Sequence, residues 1–233
     1  MTLRRVDSLL LTIGIPVILL VFFSEAPVLT VPAGHRVDFI APGILALCVL
    51  STSMVALGIA TGFERSYGVL KRLFVTPLGA TRLLGAKVVA VLCVECLQVL
   101  VVGVVAVILG WRPHASVAST LGGVAATVIG SVAFGAIGLG LAGRLRAEAN
   151  LAALNGLYLV LLLVSGIVVP LSKLPVGIAD IARALPSGAL AAAVRAATAS
   201  AQAPTAWQWL DLCGWAVGAT VLAAATFRFE PAR

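Results

Sequence analysis

Glu95 is the one acid set deep in an apolar run of this chain, and Gln98 shares its face one turn further on. A charge at bilayer depth costs roughly 2.5 to 3.5 kcal/mol on insertion scales. Glu95 therefore either carries its proton, faces the interior of a bundle or lines a wet cavity. Two roles stand. One is a polar point on a solute path or at a subunit seam; the other is an interhelical hydrogen bond to Asn155 or to serine and threonine groups elsewhere. Proton coupling would be built around the same acid, although no basic or histidine relay stands beside it. Asn155 and Tyr158, at i and i+3, are further pathway or seam candidates, with ordinary packing as the plainer alternative.

Other groups that do chemistry in soluble enzymes carry little here. Cys93 and Cys96 flank Glu95 in the spacing of a redox or metal pair. Inside an apolar helix such thiols are unreactive, and no second pair completes a zinc site. Cys48 and Cys213 also fall in apolar runs, so the four cysteines read as small apolar residues and not as a disulfide framework. His35 and His114 lie in different loops and make no metal pair. The run 79–87 is the nearest thing to a phosphate-binding loop, but it lacks the Gly-Lys-Ser or Gly-Lys-Thr step and follows no strand. There is no catalytic triad and no pair of carboxylates. The chain is expected to be no enzyme, with no catalytic residue, no metal and no bound cofactor of its own.

The segment 64–77 has a different chemistry. Glu64, Arg65, Lys71 and Arg72 would be solvated, while Val69, Leu70, Leu73 and Phe74 form an apolar face at helical spacing. Such a helix either lies on anionic lipid or presses its apolar knobs into a partner, with the charges setting register.

The elements that position these residues follow from the medium. The chain has 233 residues, 61% hydrophobic and 11% charged, with mean hydropathy +1.13. A water-soluble domain carries roughly 25% charged residues, so lipid is the fitting solvent. At about 20 residues per crossing, six spans are expected at about 8–23, 39–60, 85–109, 117–142, 151–169 and 207–227, in a single membrane domain covering 1–233. The first apolar segment follows Arg4 and Arg5 but lacks a small-x-small cleavage site, so it reads as a retained helix. Trp111 closes the third span as an interfacial anchor.

The net charge of +7 is better read as orientation than as nucleic-acid binding. With the N-terminus inside, eleven of the sixteen basic residues fall in cytoplasmic segments and five (Arg36, Arg112, Lys173, Arg183, Arg195) outside. Both termini are then cytoplasmic. In the fourth span Gly123, Thr127, Ser131 and Gly135 make a row of small residues, with Gly122, Ala126 and Gly130 beside it, a surface for close helix packing in lipid. Between the fifth and sixth spans, Pro175 and Pro186 break the helix, and Asp180 and Arg183 at i, i+3 are placed to pair.

Two separated motifs carry a family likeness. Glu64-Arg65-Ser66-Tyr67-Gly68-Val69-Leu70-Lys71-Arg72-Leu73-Phe74-Val75-Thr76-Pro77 resembles the segment after the second span in permeases of type-2 ABC exporters, the daunorubicin-resistance and polysaccharide-export membrane subunits. Ser165-Gly166, Pro170, Leu174-Pro175, Ala184-Leu185-Pro186 and Val194-Arg195 resemble that family's signature after the fifth span. The likeness covers nearly the whole chain; the departure is the N-terminus, where about seven residues stand in place of a longer amphipathic elbow helix.

The resemblance implies an all-α, six-span permease with a cytoplasmic coupling helix at 64–77 and extracellular re-entrant helices at 173–198, in a bacterial cytoplasmic membrane. It implies a second permease, identical or paralogous, and two ABC ATPase subunits that hold ATP and Mg. Glu64, Arg65, Gly68, Leu70, Arg72, Leu73 and Pro77 would then couple to the ATPase, and Pro170, Pro175, Pro186 and Arg195 would shape an external gate. An apolar interior with few aromatics favours a drug or lipid-like solute over a polymer.

Overall fold

The structure, a computed structural model, describes residues 3–25, 36–70, 79–167 and 175–227. Most of those residues are helical, with no strand among them. Helix α1 is Leu3–Glu25. Helix α2, Arg36–Val49, runs through a π-helical segment, Leu50–Ala56, into α3, Leu57–Ser66. Then follow α4 (Gly79–Ile108), α5 (Val117–Ala142), α6 (Ala147–Val164), α7 (Val176–Arg183), α8 (Pro186–Ala199) and α9 (Ala206–Thr226).

Among the described residues five helices are long and apolar enough to cross a membrane, Arg36–Ser66, Gly85–Ile108, α5, α6 and α9; the bent pair α7–α8 makes a sixth if it is one broken span. The apolar stretch Thr12–Glu25 of α1 is shorter. The protein is an all-α polytopic membrane protein.

Several boundaries move from their expected places. The second span was expected at 39–60, yet Arg36–Ser66 is one 31-residue rod. Nothing breaks it until Gly68, whose φ of +69° suits glycine and ends the rod, its N–H closing back on Arg65 O at 3.1 Å. Glu64 and Arg65 are thus the last turn of the second span. The fifth helix begins and ends before the expected 151–169, stopping at Val164 where Gly166 takes φ +73°. Within the expected re-entrant stretch 173–198 stand two short helices, bent by 75°. Leu185 is extended because it precedes a proline, and Pro186 starts α8 at its first turn. Trp111, just after α4, is buried against the core at 8% exposure.

Helix α5 is the hub of the bundle, packing on α9, α8, α3 and the π segment. Its small residues make this geometry accessible. Gly122 abuts Pro204, Gly123 abuts Ala197 and Gly130 abuts Leu190, while Gly135 lies against Leu57 and Ser53. Both rows read in the sequence meet α8, through Gly123 and Gly130. The ends of α5 and α9 are set by capping boxes: Ser116 with Ser119, and Thr205 with Gln208.

Candidate functional site

Five polar side chains inside the bundle, Thr52, Ser53, Glu95, Gln98 and Ser131, form one layer. The π segment puts Thr52 and Ser53 side by side against α4. An α-helical turn would swing adjacent residues farther apart, and π turns of this kind are frequent at functional positions. Ser53 Oγ donates to Glu95 Oε1. Ser131 Oγ, from α5, lies 2.5 Å from Glu95 Oε2 and 3.0 Å from Thr127 O. One helical turn along α4, Thr52 Oγ1 donates to Gln98 Oε1 at 2.8 Å, and Gln98 Nε2 donates to Thr12 O of α1 at 2.9 Å. Glu95 is 3% exposed and Gln98 is fully buried. The layer thus ties four helices with hydroxyls and one amide around one carboxyl group.

Of the two hydrogen-bonding alternatives open for Glu95, the serine hydroxyls hold it. Asn155 is elsewhere, exposed on α6 and donating to Leu151 O at 2.9 Å. Tyr158 is half-buried against the core. Ser53 and Thr52 were not singled out from the sequence, and Ser131 only as a member of the row of small residues. A hydroxyl in a span usually bonds back to its own helix, and nothing local distinguishes those that do not.

Next to this layer opens an apolar cavity of about 460 Å³ between the second-span rod, α4, α5 and α9. Ser131 stands in its wall, and Lys87, Thr61 and Leu70 line it. Lys87 pairs with Glu64 and donates to Thr61 Oγ1 at 3.2 Å. This end of the bundle also carries Arg65, Arg144 and Arg146, and we refer to it as the basic end.

Arg65 is 3% exposed. Its guanidinium donates to the carbonyls of Gly143, the C-cap of α5, and Leu145, in the α5–α6 turn. The last turn of α3 is thereby clamped to the end of α5, while Glu64 ties it to α4. Buried Asn150 adds a third link, donating to Gly58 O at 3.0 Å. Glu64 and Arg65 are therefore engaged within the chain. Leu70, expected as a knob for a partner, is 4% exposed and faces the cavity; Tyr67, at 71%, is the outward side chain of this turn. Lys71, Arg72, Leu73 and Pro77 lie outside the described residues, as do Pro170 and His35.

At the opposite end, which we refer to as the re-entrant end, Pro175 caps α7 and Pro186 opens α8. Arg195 of α8 donates to Gly166 O and Ile167 O at 2.7 and 3.0 Å, and its guanidinium sits 4.1 Å over the Phe39 ring. The left-handed turn at Gly166 turns both carbonyls toward it. Arg195 thus latches α8 to the ends of α6 and α2. Asp180 and Arg183 form the expected pair at 2.9 Å, both exposed. Cys93, Cys96 and Cys213 are exposed on the outside of the bundle and Cys48 is buried; all four are free thiols. Among the described residues no group of three or more His, Cys, Asp or Glu is placed to hold a metal.

Compared with known families, the chain matches the one described as ABC-2 type transporter over residues 2–198. No curated protein matches it.

Proposed function

The chain belongs to the ABC-2 type transporter family and is a transmembrane component of an ABC transporter; on that premise we propose that it forms the pathway of an exporter for a hydrophobic or amphipathic solute, drug-like or lipid-like. The observation that carries the reading of the solute is the apolar cavity of about 460 Å³, closed on one side by the Glu95 layer and flanked at the basic end by the Lys87–Glu64 pair. An apolar group gains roughly 25 cal/mol for each Å² it buries in such a space.

In this reading the basic end is cytoplasmic, as the excess of Lys and Arg favours, and the turn at 64–70 receives the ATPase. Force arriving there reaches α5 through Arg65 and α4 through Glu64, so the clamp would transmit nucleotide-driven closure to the walls of the cavity. At the far end the Arg195 latch would have to yield for the solute to leave. The exposed face of α6, where the Asn155 amide stands in line with Leu151, Leu159 and Leu163, is the seam for a second permease. An amide facing lipid is costly, and a partner helix relieves it.

Reconstitution with the partner ATPase in liposomes tests this function. Transport of an amphipathic dye should stop when the ATPase loses its catalytic acid. Arg65→Lys, which offers one ammonium where two carbonyls need a fork, should keep the ATPase bound and hydrolysing while transport drops. Dye movement driven by an ion gradient without ATP would instead support a secondary transporter built on Glu95, and a complex that moves no solute would be a scaffold.

A further inference from the structure

Away from the Glu95 layer and its cavity, a second opening of about 810 Å³ runs between α5, α6 and α9. Its walls are apolar except near its ends. Arg144 and Thr226 stand at the basic end; Asp211, Trp207 and Trp215 stand toward the re-entrant end, beside Leu185 and Pro186 at the α7–α8 bend. Helices α5 and α9 run side by side in the same direction, because Gly122 abuts Pro204 and Gly143 abuts Phe227. Arg144 is therefore level with the end of α9, about 24 Å from Asp211 at about 1.5 Å per residue.

Asp211 is an acid a turn and a half inside an apolar helix. Its Oδ2 is buried and has no hydrogen-bond partner among the described residues. The Trp215 indole N–H, beside that carboxyl group, donates to Ala184 O at 2.9 Å. The ion pairs formed by described residues, Lys87–Glu64 and Arg183–Asp180, leave Asp211 without a cation. An acid in this position is costly unless a counter-charge arrives. Two indole rings stand next to it, Trp207 61% and Trp215 37% exposed, and indole faces attract cations. From there an apolar trough leads along α9 past Gly214 and Gly218, where nothing lies within 4 Å of an added Cβ.

We propose that this groove binds a cationic amphiphile, its ammonium or pyridinium head at Asp211 between Trp207 and Trp215 and its alkyl chain along α5 and α9. Arg144 repels a cation at the other end, so charge sets the direction of the ligand. The site differs from the cavity of the proposed export pathway, and binding to it requires no ATPase, so failure of either reading leaves the other standing.

The test uses the full chain in phosphatidylcholine nanodiscs with N-dodecylpyridinium, whose ring quenches indole emission on contact. Saturable quenching beyond that of a soluble tryptophan standard partitioned with empty discs is expected. Dodecyltrimethylammonium should relieve it and neutral dodecanol should not. Asp211→Asn should weaken binding about tenfold, the effect of losing one charge-assisted contact, and Asp211→Glu should retain it. Should Asp211→Asn not fold, Gly214→Leu fills the trough without touching the carboxyl group and should weaken binding as well. Equal binding by wild type and whichever of these variants folds would overturn the proposal. So would equal relief by dodecanol, or relief by phosphatidylglycerol, which would assign the groove to an anionic lipid at Arg144.

Discussion

Glu95 accepts from hydroxyls on two helices, and the hydroxyls left behind decide what its replacement does. In Glu95→Gln the amide oxygen still accepts from one serine and the N–H donates to the other, so folding should survive and ATP-driven transport should persist. In Glu95→Leu Ser53 loses its partner, while Ser131 keeps Thr127 O. A buried orphan costs about 1–3 kcal/mol, which thermal unfolding in detergent would show as a clear fall in midpoint. A well-folded Glu95→Gln protein that no longer transports would point to proton coupling instead. Arg65 obeys the same logic at the basic end, where its guanidinium satisfies the carbonyl of Gly143, left open at the end of α5, and that of Leu145 in the following turn.

Among the elements, α5 and the π segment approach so closely that one methyl group matters. A Cβ on Gly138 would meet Met54 O at 2.5 Å, against backbone that cannot swing away. Gly138→Ala should therefore destabilise by about 1–3 kcal/mol, and the same denaturation assay should show it. Gly85, with nothing within 4 Å, is the control: alanine there should be neutral or slightly stabilising, as expected for a helical glycine in open space. Both glycines sit in apolar helical sequence, and only their neighbours separate them. The bend between α7 and α8 is different, because Leu185-Pro186 imposes it from the chain itself.

For the molecule as a whole, the orientation and the seam are the properties to test. Tyr67 is the outward side chain on the turn after α3, so Tyr67→Cys, with the four native cysteines replaced by alanine, should react with an impermeant maleimide in inverted vesicles. Reaction only in intact cells would put the ATPase-binding turn on the wrong side. The seam predicts that Gly156→Trp, on the open face of α6 beside Asn155, leaves the single chain folded but prevents pairing. Light scattering of the detergent-solubilised protein reads this directly; an unchanged pair would place the seam elsewhere.

The medium, the run of apolar helices and the proline break at Pro186 were legible from the residues in order. Hydropathy over about 20 positions is a local sum, and the Leu185-Pro186 step acts on its own backbone. Even there the second span ran past its expected end, because Glu64 and Arg65 read as the start of a separate solvated helix until partners inside the bundle were known. Who meets whom was left to the tertiary structure. Glu95 finds its serines 42 and 36 positions away, and Arg65 its carbonyls 78 and 80 positions away. Leu70 turns to the cavity and Asp211 to the groove for the same reason. A side chain's periodicity names the face of its helix, but burial and partnership depend on which other helices lipid exclusion and close packing bring against that face.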